Sequence, residues 1–369
     1  MAWKSFAIAI LSLALAQAQN AGRRTENVII LMSDGLRWQE VFSGAERALL
    51  DKKKGGVANP EDIRRRFWRD SIEERRAALL PFLWSEAARH GQVFGDRESG
   101  SEVFVSNGLN SSYPGYSETF CGVVDPAIRG NSKRYNPNVN VLEFLNRKPG
   151  FAGRVAAFGA WEQFPWILNA PRSGIFVNGG YDPLVMSPMP ETMRLLNQLK
   201  AETEYWQEEA FDSFTFRTAL AYLTVQKPRV MAIILGETDE WAHEGRYDLY
   251  LKAAHRFDQY ARELWDTIQS LPQYRDRTAL ILAADHGRGS GTKGWRSHGR
   301  GIPESRFVWM AFLGPDTQAR GVRERTQPIR QAQLAATIAA LVGEDFLSAV
   351  LAAAPPIEDV LREQPVPVR

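Results

Sequence analysis

The sequence predicts an α/β protein with a largely parallel central sheet flanked by helices on both faces. Two features carry that expectation. Three short runs, Asn27–Ser33 (NVIILMS), Val230–Leu235 (VMAIIL) and Thr278–Ala284 (TALILAA), are almost continuously apolar. Such runs suit strands buried on both faces, because a strand with one wet face alternates instead. Residues 248–271 carry Phe257, Ala261, Leu264, Ile268 and Leu271 at spacings of three and four, an apolar stripe down one side of a long helix. Strands alternating with helices build a sheet covered on both sides.

The remaining elements are read in the same way. Residues 154–158 and 307–313 read as further strands, and 81–90 as a short helix ended by Gly91. Residues 190–226 carry two helical patterns, and 331–342 form a closing helix stopped by Gly343. Residues 99–122, rich in Ser, Gly, Asn, Tyr and Pro, read as a loop or a loop feeding a helix. Residues 46–76 include Lys52-Lys53-Lys54 and Arg64-Arg65-Arg66 and read as an exposed, charged insertion with helical parts.

Composition narrows the function classes. The 369 residues are 44% hydrophobic and 24% charged, ordinary for a folded protein with a large core. A net charge of +2 implies no nucleic-acid partner. Cys121 is the only cysteine, so the chain forms no internal disulfide, and any metal would be held by His and carboxylates. Lys4, an apolar run over 6–16 and Ala16-Gln17-Ala18 have the order of a signal peptide spanning 1–18. The run is shorter than the roughly 20 residues that cross a bilayer. The expectation is an exported, periplasmic or extracellular protein, with 19–369 as a single domain and no membrane span in the mature chain.

In an open α/β sheet, ligands bind beyond the C-terminal ends of the strands. Asp34, Asp239 and Asp285-His286 each follow a predicted strand by a few residues at most. Asp239 and His243 are four apart, which puts both on one face of a helical turn. His298 precedes Gly299 in a glycine-rich loop. His90 at a helix end and His255 within the long helix have ordinary structural roles. Three Asp and three His then stand out, and six nitrogen and oxygen ligands suit two zinc-like divalent ions.

Ser33-Asp34-Gly35, Ser112-Tyr113-Pro114-Gly115-Tyr116, Asp239-x-x-x-His243, Asp285-His286-Gly287 and Ser297-His298-Gly299 occur in the order seen in the alkaline phosphatase superfamily. Over roughly 27–345 the chain most resembles the nucleotide pyrophosphatase/phosphodiesterase-like branch. The resemblance implies an alkaline phosphatase-like catalytic domain. It implies one metal held by Asp239, His243 and His298, and a second held by Asp34, Asp285 and His286. The metals of that family are usually zinc. Ser112 becomes the nucleophile, forming a phosphoserine that water then hydrolyses. Ser111 and Ser117 compete for that role, but only Ser112 lets Pro114 and Gly122 match. Asn131 resembles the family's phosphate-contacting Asn, two residues closer to the nucleophile than usual.

Lys293 and Arg296, with Trp295 just before His298, are candidate substrate-binding residues. Sulfatases share the fold but require Cys or Ser followed by x-Pro-x-Arg, and here Tyr116 stands where the Arg would be. The expected substrate is a small-molecule phosphate ester, with diesters favoured over monoesters. Trp161, Phe164 and Trp166 are candidates for the aromatic pocket that a diester needs. The alternatives are phosphoryl transfer or mutase chemistry, a sulfatase-like reaction, or a secreted metal-binding protein without turnover.

Overall fold

The computed structural model describes residues 23–361, so the expected signal peptide at 1–18 lies outside the described residues. The strands are β1 (Asn27–Ser33), β2 (Gln92–Phe94), β3 (Val103–Phe104), β4 (Val155–Gly159), β5 (Phe176–Gly179), β6 (Val230–Leu235), β7 (Thr278–Ala284), β8 (Phe307–Val308), β9 (Met310–Leu313), β10 (Gly321–Val322) and β11 (Ile329–Arg330). Eight of them form the main sheet in the order β10-β2-β9-β7-β1-β6-β4-β5. Every pairing is parallel except those of β9, which runs antiparallel to both β2 and β7. The predicted strand over 307–313 is broken at Trp309. Its first part, β8, joins β3 and β11 in a separate small sheet.

Alternate residues of each central strand enter opposite cores, which is why the runs are apolar throughout. Ile29, Leu31, Met231, Ile233, Leu280 and Leu282 pack in one core with helices Asp212–Gln226 and Tyr247–Ser270. Val28, Ile30, Val230, Ala232, Ala279 and Ile281 face the other, against helices Ser112–Cys121, Val141–Asn146 and Gln333–Leu341. Among the described residues no helix is long and apolar enough to cross a membrane.

The 46–76 segment is amphipathic rather than simply exposed. Its helix Pro60–Phe67 turns Arg64, Arg65 and Arg66 outward, while Leu49, Leu50, Val57, Ile63 and Phe67 are buried in the first core. Charge runs hide the apolar positions between them, so the sequence showed only the wet face.

Register decides where the site forms. Ser33 pairs with Leu235 of β6 on one side and with Ala284 of β7 on the other. Three adjacent central strands therefore end at one level, and Asp34, Asp239 and Asp285 all issue from that rim.

Asp258, on the long helix, accepts the backbone N–H groups of Phe82 and Leu83 at 2.7 and 2.8 Å. Burial outweighs those bonds and pushes its carboxyl up to about 7 from an ordinary 3.8. The folded chain then keeps a proton there that the unfolded chain loses above about pH 4. This group's contribution to stability should fall as pH rises from about 4 to about 7, by a few kcal/mol at most, and then level off. Urea unfolding across that range should show the decline, and Asp258→Asn should flatten it; parallel curves for the two proteins would refute the assignment.

Candidate active site

The site is built where β1, β6 and β7 end. Asp34 follows β1 directly, and Gly35 then turns the chain with φ +61°. A Cβ there would lie 2.6 Å from Asp239 Oδ1, so glycine is needed for backbone shape and for space. After β6, the helix Glu237–His243 places Asp239 and His243 one turn apart, with His243 Nε2 2.9 Å from Asp239 Oδ2. After β7, Asp285 and His286 are fully buried. His298 comes from the loop beyond, its Nε2 3.0 Å from that of His243 and 3.7 Å from Asp239 Oδ1.

The ligand atoms of Asp239, His286 and His298 lie within 4.8 Å of one another, as do those of Asp34, Asp285 and His286. His286 is shared between the clusters: its Nε2 is 3.2 Å from Asp34 Oδ1, 3.4 Å from Asp285 Oδ2 and 4.0 Å from Asp239 Oδ1. Both inner histidines are oriented by carbonyls. His286 Nδ1–H donates to Gly287 O and His298 Nδ1–H to Asn110 O, each at 2.9 Å, which leaves Nε2 facing the cluster.

A cation fits this donor set. Asp34 Oδ1 and Asp285 Oδ2 are buried and have no hydrogen-bond partner among the described residues. A buried carboxylate oxygen without a donor is costly, and both of these oxygens face the same gap. Burial, reinforced by neighbouring Asp34, pushes the Asp285 carboxyl well above the usual range. Burial pulls the His286 imidazole down, but Asp285, Asp34 and Asp239 overcome it and hold it up at about 10. His298 goes the other way, to about 3, through burial and the nearby His286.

Ser112 is the first residue of the helix Ser112–Cys121, and its Oγ lies 3.3 Å from His286 Nε2. Ser117 faces away, its hydroxyl accepting from Asn136 Nδ2 at 2.9 Å. Gly115 lets the helix lie against β7, since a Cβ there would meet Asp285 O at 2.6 Å. Gln331 Nε2 donates to the carbonyls of both Gly115 and Asp285, at 3.1 and 2.9 Å. One turn past Ser112, the Tyr116 hydroxyl donates to Asp34 Oδ2 at 2.9 Å. Asn131 Oδ1 accepts the N–H of Tyr113 at 3.0 Å, which sets its amide beside Ser112.

Two further candidates come from the loop that leads to His298. Lys293 is exposed on the short turn Gly291–Gly294. Arg296 donates to Lys54 O at 3.1 Å and packs on Gly245. Phe164 is core, 5.0 Å from the Tyr116 ring, while Trp166 stacks on the exposed Tyr135.

Sequence reasoning missed Arg288. It is 1% exposed and paired with Asp239 Oδ1, and its Nε donates to Trp295 O at 2.9 Å. Burial works against an Asp239 carboxylate, but Arg288, His298 and His243 hold its pKa well below the usual range. Arg288 therefore ties the strand-end carboxylate to the loop that carries His298. Its position directly after Asp285-His286-Gly287 was the one available signal. Arg288→Met should destabilise the chelator-treated protein by about 3–5 kcal/mol in urea unfolding, because it strands a buried carboxylate; a loss under about 1 kcal/mol would show the pair to be idle.

A family model described as type I phosphodiesterase / nucleotide pyrophosphatase matches residues 47–299. No curated protein matches the sequence. Among solved structures, wild-type alkaline phosphatase PafA superposes with a TM-score of 0.60 at 10% identity, covering 92% of this chain and 100% of that one. The phosphonate monoester hydrolase SpPMH from Silicibacter pomeroyi gives 0.60 at 14%, covering 94% and 78%. The lipoteichoic acid synthase LtaP from Listeria monocytogenes gives 0.52 at 9%, covering 88% and 74%. At such identities the likeness is one of fold. With the family match spanning most of the chain and the carboxylate–imidazole rim in place, the protein belongs to the type I phosphodiesterase / nucleotide pyrophosphatase family, and it shares its fold with alkaline phosphatase PafA.

Proposed function

We propose that this protein hydrolyses phosphate esters, diesters in preference to monoesters, by attack of Ser112 and through a phosphoserine, with two divalent cations, zinc foremost, held by Asp239, His243 and His298 and by Asp34, Asp285 and His286. One observation carries the reading: Ser112 Oγ faces Nε2 of His286, a member of the second ligand set, at 3.3 Å. Cations bound there supply Lewis acidity, activating a hydroxyl at neutral pH and stabilising the entering and leaving oxygens of an in-line displacement.

The chain's own residues do the rest. Ser112 sits in the first turn of a ten-residue helix, where the backbone dipole favours developing negative charge. Asn131 uses its Oδ1 on Tyr113 N–H, leaving its amide NH2 as the end able to donate to a phosphoryl oxygen. Attack forms the Oγ–P bond as the leaving-group oxygen departs, and water then cleaves the phosphoserine.

The preference for diesters rests on how the nearby cations are used. Arg288 is committed to Asp239, and Lys133 to Glu162 and Glu208. At these two positions a monoester's extra charge meets side chains already paired. Tyr116 holds Asp34, so the position that would be Arg in a sulfatase has a different task here. The leader read at 1–18 supports export to the periplasm or beyond.

Ser112→Ala should retain its metal and lose on the order of 10³-fold or more in kcat on bis-p-nitrophenyl phosphate. Full activity in that variant would remove Ser112 from the mechanism. Chelation should abolish turnover and zinc should restore it, with bis-p-nitrophenyl phosphate outrunning p-nitrophenyl phosphate. A zinc-loaded protein inert towards both substrates would instead be a binding protein. His298→Ala should lower metal content per mole of protein, and unchanged stoichiometry would contradict its role as a ligand.

A further inference from the structure

Beside the cluster lies a cavity of about 310 Å³ lined by Phe104, Ser106, Asn110, Arg300, Pro303 and Arg306, among others. Its walls are the segment leading into Ser112 and the segment following His298. Asn110 joins the two, because its carbonyl accepts from His298 Nδ1 at 2.9 Å. The cavity is thus one imidazole ring away from the nitrogen that faces the ligand cluster. Asn110 is among the lining residues; its side chain is buried, at 4% exposure, and its Oδ1 has no hydrogen-bond partner among the described residues. An acceptor left in that state asks for a donor from outside.

Among the described residues, Arg300 and Arg306 have no carboxylate partner. Glu304, the acid between Arg300 and Arg306, pairs with Arg97 at 3.0 Å. The Arg306 guanidinium rests 4.6 Å over the Phe104 ring, which limits its motion. The facing wall is rigid as well: Glu118 of the nucleophile helix accepts Ser106 Oγ at 2.6 Å, Ser106 N at 2.9 Å and Asn107 N at 3.0 Å.

We propose that this cavity is a substrate subsite for an ester substituent bearing a second anion, a carboxylate or phosphate, held by Arg300 and Arg306, with a hydroxyl given to Asn110. The substrate class becomes phosphodiesters with a negative charge beyond the scissile phosphate. The proposal rests on Ser112 as nucleophile, which sets the scissile phosphate next to the cavity.

The test compares bis-p-nitrophenyl phosphate with analogues in which one nitro group is replaced by carboxylate or by phosphate, following released nitrophenolate. Wild type should favour at least one charged analogue about tenfold in kcat/KM, the gain lying in KM. The analogue favoured identifies the anion. Arg300→Gln/Arg306→Gln should remove the preference while leaving bis-p-nitrophenyl phosphate turnover within about twofold. Absence of preference in wild type, or equal losses on all substrates, overturns the subsite. Calorimetric binding of the charged analogues to Ser112→Ala, with and without the two Arg substitutions, probes the subsite independently of turnover. Weaker binding without the arginines supports the subsite even if the nucleophile assignment fails, and unchanged binding rejects it even if that assignment stands.

Discussion

Three buried carboxylates meeting at the ends of three neighbouring strands set the terms for the rest of this structure. Asp34, Asp239 and Asp285 are each at most 8% exposed. Like charges removed from water repel and lose hydration together, so the fold must bring positive charge to them. Arg288 meets part of that need at Asp239. The free oxygens of Asp34 and Asp285 keep the rest open, and a site left short of positive charge in this way is one that divalent cations stabilise by binding.

The surrounding structure holds that arrangement stiff. The helix that begins at Ser112 is braced at several points: Tyr116 to Asp34, Gln331 across to the end of β7, and Glu118 back onto the loop before Ser112. Arg288 ties the loop carrying His298 to the helix carrying Asp239. On the opposite side of that loop, buried Arg37 donates to Gly289 O at 3.1 Å and to Glu40, which also accepts from Tyr247 at 2.8 Å. Groups drawn from distant parts of the chain thus share one frame, which fixes their geometry relative to one another.

The rim and the loops divide the chemistry between them. Strand register places the carboxylates, and register is set by the hydrophobic pattern of β1, β6 and β7. Segments outside the central strands supply the rest: the Asn131 turn, the 300–306 segment, and the charged 46–76 segment that also plugs part of the first core.

How much was legible in the chain follows from this division. The fully apolar runs of β1, β6 and β7 announced a sheet buried on both sides, and the acids just after them announced the rim, because those signals are local. The break at Trp309 and the buried half of 46–76 were not legible. The first depends on which sheet each half of the strand can join, and the second on apolar residues scattered among cations. Arg288, Glu118 and Gln331 read as unremarkable polar residues, since they act on partners elsewhere in the chain, 49 positions away for Arg288 and Asp239 and 216 for Gln331 and Gly115. By itself, the sequence determined the fold class and pointed to the candidate ligands and the candidate nucleophile. Only the tertiary structure decided which oxygens stay unpaired, which cations are already spent and which cavity adjoins Ser112, because each of these depends on distances between residues that the chain order does not constrain.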